Sequence, residues 1–466
     1  MTNYALDPDA TGTPGDVVAG DAAQRARDLL LLGKLAEAGR LRSLWLDISG
    51  EQVVAVLGKR GTGKSYTLGV LIEGLAAGEG ETQIAKVYTP RAALVLDIMD
   101  IFWTSQIPLG PNGPPEIQKQ YESMRRSNLQ PQQLNVDVWI PGGFERPEID
   151  PPRLRSLHIR ASHLEIDDWG ALFEVDVYSE PRGMLLADAI AHVSVQGYHR
   201  SDGTSVAPVT DYDFPDLLNC LVDDIDIIAN FRPDTIRSIR QRLTSYSSLP
   251  LFSGVPTQLS ELLRTFRTSV LMLARVPDAL KKVLVAVLLR RVLRERRDAS
   301  LAQKRLDLDM RIDEAEKASL RQFVIGAVPR TWVLMDEAHV LAGVDDPSVA
   351  RDALVKYAKE GRNYGLSLAL ATQQPSALDT RLMSQVETLI VHQLTAPRDA
   401  AVATQNMRSP EPSRLRVDGA EVDVATLLRR LGQGTATFSC GNAPGLTRLC
   451  VATIRGRVTA HGGYEA

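Results

Sequence analysis

At 466 residues the chain has room for about three domains, or for one core with a large insertion. Its net charge of −4 excludes a generally basic protein that coats nucleic acid, while leaving room for DNA held in a local channel. Apolar residues make up 44%, enough for a packed interior, yet no run approaches the roughly 18 consecutive apolar residues of a membrane span, so a cytoplasmic protein with no membrane partner is expected.

Residues 1–20 are dominated by Asp, Gly, Thr and Pro and are expected to be disordered. Residues 21–48 have helical character. Val53 to Leu57 forms a short β-branched strand, and the helix after it runs to about Ala77. Ala92 to Ile101 reads as a second buried strand. Residues 105–155, rich in Pro and Gly, look like an excursion, and the whole of 105–264 reads as a mainly helical insertion. Ser269 to Ala274 is another buried strand, followed by a helix from Pro277 to about Arg297 and a charged helical stretch over 298–328. Trp332–Met335, Leu366–Ala371 and Thr388–Leu394 are further strands, and Thr435–Cys440 with Thr447–Val451 suggest a closing antiparallel pair. Strands alternating with helices predict an α/β fold with a mostly parallel sheet covered on both faces.

The strand at Val53 runs into Gly58-Lys59-Arg60-Gly61-Thr62-Gly63-Lys64-Ser65, which satisfies every fixed position of the phosphate-loop pattern G-x-x-x-x-G-K-[ST]. Glycines let successive backbone N–H groups converge on phosphates, and the helix start adds a favourable dipole. A Gly-rich turn that binds nothing is the alternative, but the strand before it and the helix after it argue for ATP binding over 58–66, Tyr66 included. Lys64 reaches the β/γ-phosphates and Ser65 holds Mg²⁺.

Trp332-Val333-Leu334-Met335-Asp336-Glu337 is an apolar strand that ends in two acids, at the sheet edge where α/β proteins bind ligands. Asp336 is expected to position Mg²⁺ and Glu337 to polarise the attacking water. The run continues to His339 and so spells the signature of two-lobed helicases. Only 94 residues follow Thr372, too few for a second lobe, so His339 is read as a helix-start residue, with proximity to the site as the alternative. Gln373 ends the next strand, where an amide can bond both water and the γ-phosphate; an amide that merely satisfies the turn before Pro375 is the other reading.

Only 11 of the 53 basic residues are Lys, and Arg suits phosphate contacts. Arg290, Arg291, Arg294, Arg296 and Arg297 form a candidate DNA contact, with a solvated helix face as the alternative. Cys220, Cys440 and Cys450 are too few for a disulfide framework and show no metal-clip spacing with His, so idle or buried thiols are expected.

These motifs in this order resemble the HerA branch of the HerA–FtsK ATPases: GKRGTGKSYTLGV from Gly58, LMDEAHVLAG from Leu334, KEGRNYGLSLALATQQPSALD from Lys359, HQLTAPRDA from His392 and IRGRVTAHGG from Ile454. The resemblance covers about 50–104 and 265–463. It implies a RecA-like P-loop NTPase core over 49–104 and 265–463, and an ATP hydrolase that works as a hexamer around duplex DNA. A nuclease or an anti-phage defence effector is the implied protein partner. It also implies a trans-acting arginine, for which Arg362 is the first candidate and Arg381 and Arg398 follow. Of the family's acidic motif on the second strand only Asp97 is present, which leaves hydrolysis resting on Glu337. The alternative is an ATP-gated ring scaffold that assembles or regulates an effector without processive movement.

Overall fold

The computed structural model describes residues 4–6, 16–19, 28–36, 42–409, 415–440 and 449–463. Its backbone is a large mixed sheet. From one edge the order is Arg155–Leu157, Val136–Pro141, Arg267–Met272, Arg91–Asp97, Arg330–Met335, Leu366–Thr372, Val53–Leu57 and Thr388–Val391, all parallel. Thr435–Cys440, Cys450–Ile454, Leu29–Leu35 and Ser43–Asp47 continue it antiparallel, and Val17–Ala19 closes the far edge.

The parallel strands are apolar without alternation because both of their faces are covered. Side chains on a strand point alternately up and down. Val53, Ala55 and Leu57 therefore join one core, while Val54 and Val56 join the other. Leu94 and Leu96 split from Ala93 and Val95 in the same way.

Three expectations need correction. Residues 21–48 are not helical where described: Leu29–Leu35 and Ser43–Asp47 are strands paired with each other. Their partner edge, Cys450–Ile454, is more than 400 residues away, and its pairing overrides the local helical preference of a Leu- and Ala-rich stretch. Residues 1–20 are not wholly disordered, since Tyr4–Leu6 pairs with Leu415–Val417 and Val17–Ala19 with Ser43–Asp47; apart from Asp16 the rest of that stretch, like Thr447 and Arg448, lies outside the described residues. Finally, 105–264 is not simply an insertion. Val136–Pro141 sits inside the parallel sheet beside Arg267–Met272, and Arg155–Leu157 forms its edge.

The helical unit proper follows, with Ile166–Phe173, Pro181–Ala191, Phe214–Asp223, Ile225–Asn230 and Pro233–Ser247. Trp169, Phe173, Phe214, Tyr246 and Phe252 form its aromatic centre. It docks on the long helix Asp278–Leu308, and Arg290 and Arg294 there take part in that docking. Arg290 pairs with buried Asp168 and with Glu165, Arg294 also pairs with Glu165, and Arg296 donates to the Tyr364 and Val328 carbonyls at 2.9 Å. Buried ion pairing thus replaces both the DNA-contact and the solvated-face readings for Arg290, and bonds to backbone carbonyls replace them for Arg296, while Arg294 and Arg297 are exposed as on a solvated face.

The phosphate-loop helix Lys64–Leu75 is apolar around most of its circumference because it is enclosed on all sides. Its one acid, Glu73, is fully buried. Glu73 accepts from Arg455 at 2.7 Å, Arg457 at 3.2 Å, the Thr459 hydroxyl at 2.6 Å and the backbone N–H groups of Val458 and Thr459. Burial alone would raise its pKa, but the two guanidiniums and the hydroxyl outweigh it and hold the carboxyl below its usual range. The segment 454–461 is thereby clamped across the helix. Removing one partner of a buried charge group strands the others. Glu73→Ala is therefore expected to destabilise the fold by about 3–5 kcal/mol in denaturant melts, and a loss below about 1 kcal/mol would contradict the clamp.

Candidate functional site

Four adjacent parallel strands build the site at their C-terminal ends: Arg330–Met335, Leu366–Thr372, Val53–Leu57 and Thr388–Val391. Because Leu366–Thr372 lies between the acidic strand and the phosphate-loop strand, Gln373 emerges between Asp336–Glu337 and Lys64. The loop 58–63 turns through left-handed backbone at Gly61 and at Gly63, where φ is +115°; Gly63 also caps the helix. Lys59, Arg60 and Gly61 are exposed, while Thr62 is buried and its hydroxyl donates to the Lys59 carbonyl at 2.8 Å. Tyr66 is half-buried and its hydroxyl accepts from the Arg457 N–H at 2.7 Å, so the clamp reaches the loop directly.

The sequence-predicted residues converge. Lys64 Nζ lies 2.7 Å from Asp336 Oδ1, 3.1 Å from Glu337 Oε1 and 3.3 Å from Ser65 Oγ. Lys64, Asp336 and Glu337 are all buried. Gln373 Nε2 donates to the same Glu337 oxygen. Glu337 is held at φ +47°, a left-handed conformation that costs a non-glycine residue energy and that clusters at functional sites. Its other oxygen, Oε2, is buried with no hydrogen-bond donor. The hydroxyl of Ser65 and the carboxylate of Asp336 both lie against Lys64 Nζ, and oxygen donors of this kind would suit Mg²⁺. The unbonded Glu337 oxygen is what a bound water would satisfy.

His339 is closer to this chemistry than its reading as a helix-start residue implied. Its Nδ1 lies 3.1 Å from the Thr372 hydroxyl and 3.5 Å from Glu337 Oε2. Asp97 ends the strand next to Arg330–Met335 at the same sheet edge, but its carboxylate is spent on a turn: fully buried, it accepts from the N–H groups of Met99, Ile101 and Phe102, and burial raises its pKa to about 7. Arg362 does not join its own chain's loop either. It is well exposed and pairs with Glu387 just before the strand Thr388–Val391, at the opposite end of the sheet. Arg381 is engaged by Asp379 and Asp352. Arg398 is exposed at the start of the helix Pro397–Gln405, whose Asp399 accepts from the Ser376 N–H beyond Gln373.

Sequence reasoning missed His392 as an individual residue, although it opens one of the quoted motifs. A Cβ at Gly58 would stand 2.7 Å from His392 Cβ, and one at Gly63 3.2 Å from its Cε1, so the imidazole is the floor of the loop. Its Nδ1 donates to the Thr435 carbonyl at 3.1 Å and its Nε2 accepts from the Thr67 hydroxyl at 2.8 Å. Burial, helped by the Lys64 charge, pushes its pKa down to about 4 despite the Thr435 bond.

A phosphate loop, an acidic pair and an amide at the C-terminal edge of a mostly parallel sheet define a RecA-like P-loop ATPase. Residues 32–292 match the family described as Helicase HerA, central domain. That is more than half of the chain, and the chain belongs to this family. The match runs through the helical unit as well as the sheet. Among curated relatives, the DNA double-strand break repair helicase HerA of Pyrococcus furiosus is 27% identical over 176 residues, 36% of this chain and 31% of the relative. Its counterpart in Sulfurisphaera tokodaii is 22% identical over 168 residues, 36% and 30%. The matched region is thus about a third of the length of these relatives. Among solved structures, VirB4 of Thermoanaerobacter pseudethanolicus shares the fold with a TM-score of 0.50 at 16% identity, over 94% of this chain and 98% of that one.

Two outcomes follow from the geometry. Lys64→Ala should weaken binding of a fluorescent ATP analogue about 10–100-fold, the loss of one charge-assisted contact. Glu337→Gln should bind it normally and lower phosphate release about 10²–10⁴-fold; full turnover by Glu337→Gln would remove it as the base. A second test is pH. The unfolded chain protonates His392 near pH 6.5 whereas the folded chain resists until about 4, so this group's contribution is present above 6.5 and lost as pH falls through that window. The loss is roughly 3 kcal/mol at full extent. The stability gap between wild type and His392→Gln should therefore narrow on acidification, and a constant gap would contradict it.

Proposed function

We propose that the chain is an ATP-driven duplex-DNA translocase that works as a hexameric ring and serves a nuclease or defence effector. The observation that carries this is the buried group of Lys64, Asp336, Glu337 and Gln373 within a HerA-family fold. Its relatives are DNA double-strand break repair helicases, which supports DNA as the track.

Backbone N–H groups of 58–65 and the Lys64 ammonium bind the β- and γ-phosphates. Ser65 and Asp336 would hold Mg²⁺, which would supply charge neutralisation on the phosphate oxygens. Gln373 donates to Glu337 and aims it, and Glu337 takes the proton from the water that attacks the γ-phosphorus, leaving ADP and phosphate. Exclusion of bulk water by the buried surroundings strengthens each of these contacts. Arg362, exposed and remote from its own loop, is available to a neighbouring copy, where an arginine acting in trans contributes about 10³–10⁵-fold.

The test is ATP turnover with and without long linear duplex DNA, alongside displacement of a triplex-forming strand and single-particle imaging of the assembly. The motor requires stimulation by DNA, displacement and six subunits. DNA-independent turnover in a stable ring with no displacement would instead favour a scaffold that organises an effector. Arg362→Ala should leave nucleotide binding intact and depress turnover; unchanged turnover would transfer the role to Arg398 or Arg381.

A further inference from the structure

The three cysteines carry no metal-clip spacing along the chain, yet the fold gathers one of them into a ligand-bearing cluster far from the phosphate loop. His192, Cys220 and Asp224 present an imidazole nitrogen, a thiol and a carboxylate oxygen within 4.8 Å of one another. They come from the end of the helix Pro181–Ala191, from the helix Phe214–Asp223 and from the junction with Ile225–Asn230. His192 opens a π-helical turn over His192–Gln196, an irregularity found often at functional sites.

The chemistry of the group is not explained by packing alone. Asp224 is completely buried, and its only ion-pair partner among the described residues is His192, whose Nδ1 lies 2.5 Å from Oδ2. Neighbouring Arg200 is paired with Asp223 at 3.3 Å. Asp224 Oδ1 is occupied by the Asp226 N–H at 2.9 Å, which fixes the carboxylate and aims Oδ2 at the other two side chains. Cys220 Sγ, also buried, stands 3.7 Å from that Oδ2 and 3.9 Å from the Ala189 carbonyl. The imidazole and the thiol both meet the same carboxylate oxygen, the thiol through a long and weak contact, so three metal-ligand atoms converge at one point.

We propose that His192 Nδ1, Cys220 Sγ and Asp224 Oδ2 bind one divalent cation of the zinc class. Mixed sulfur, nitrogen and oxygen donors select such ions over Mg²⁺ or Ca²⁺. Tetrahedral bonds of about 2.0–2.3 Å separate sulfur from oxygen by roughly 3.6 Å and nitrogen from oxygen by roughly 3.4 Å. The sulfur–oxygen separation is already at that value. The nitrogen must withdraw by about 0.9 Å, and His192 is the one member with solvent on its side, 19% exposed. On binding, the thiol proton leaves to solvent, the ring carries its remaining proton on Nε2, and the fourth position stays open to water. The ion braces three helices of the helical unit, as structural zinc does in small domains.

The test uses the full chain, purified without chelator or metal-affinity tag. Elemental analysis should find about one zinc per chain. Co²⁺ loading should give a thiolate-to-cobalt charge-transfer band. That band should vanish in Cys220→Ser and persist in the double variant Cys440→Ser/Cys450→Ser, where Cys220 is the sole thiol. Chelator should lower the melting temperature of wild type. Metal-free wild type that gives no thiolate band with Co²⁺ overturns the proposal, and so does a band that survives Cys220→Ser or disappears in the double variant. Because the wild-type and double-variant spectra decide by themselves, a poorly folded Cys220→Ser would not shield it.

Discussion

One ammonium group, Lys64 Nζ, lies between two buried carboxylates, and the parallel register of four strands is what brings them there. Lys64 and Asp336 are separated by 272 residues, so their meeting is a property of the sheet and not of local sequence. Taking such charges out of water costs several kcal/mol each, and only close, well-aligned pairing offsets it. The same pairing holds the groups ready, since a phosphate arriving at Lys64 meets a side chain already fixed in a dry setting. The left-handed backbone at Glu337 belongs to this arrangement: the strand stops, the chain turns sharply, and the carboxylate swings back over the lysine.

A second buried charge group supports the first from behind. Glu73 stands eight residues beyond Ser65 on the phosphate-loop helix, and Arg455 and Arg457 hold it there. Arg457 continues through Ser105, Thr459 and His461. The ring of His461 meets that of Tyr66 edge-on at 5.5 Å, and burial together with Arg457 pushes its pKa down to about 3, so it is a neutral acceptor for the guanidinium. The quoted Arg-Gly-Arg and His-Gly-Gly residues are thus parts of one polar seam under the nucleotide loop.

How much of this was legible depended on range. The phosphate loop could be read because its chemistry is contiguous. Asp336, Glu337 and Gln373 could be read because each ends an apolar strand, and the strand itself marks the edge. The strands at Leu29–Leu35 and Ser43–Asp47 could not, since a Leu- and Ala-rich stretch satisfies a helical pattern equally well and the strand that ties Leu29–Leu35 to the main sheet lies at the other end of the chain. Val136–Pro141 was obscured by the prolines and glycines around it, although inside the sheet it is an ordinary buried strand. His392 offered no local signal because its importance is steric, set by two glycines more than 300 residues earlier. The His192, Cys220 and Asp224 cluster was hidden for the same reason: 28 residues separate its first two members and only the folded helices join them.

The clasp of Arg455 and Arg457 on Glu73 also bears on biosynthesis. During translation the first strands of the nucleotide core leave the ribosome long before the segment that seals them. Until residues 454–459 emerge, Glu73 is an unneutralised acid on an otherwise greasy helix, and the edge that Leu29–Leu35 must join does not yet exist. Such late, long-range closure slows folding and leaves apolar surface uncovered in the interim. A chain cut short before residue 454 would hold the catalytic side chains and lack the clasp that keeps them together.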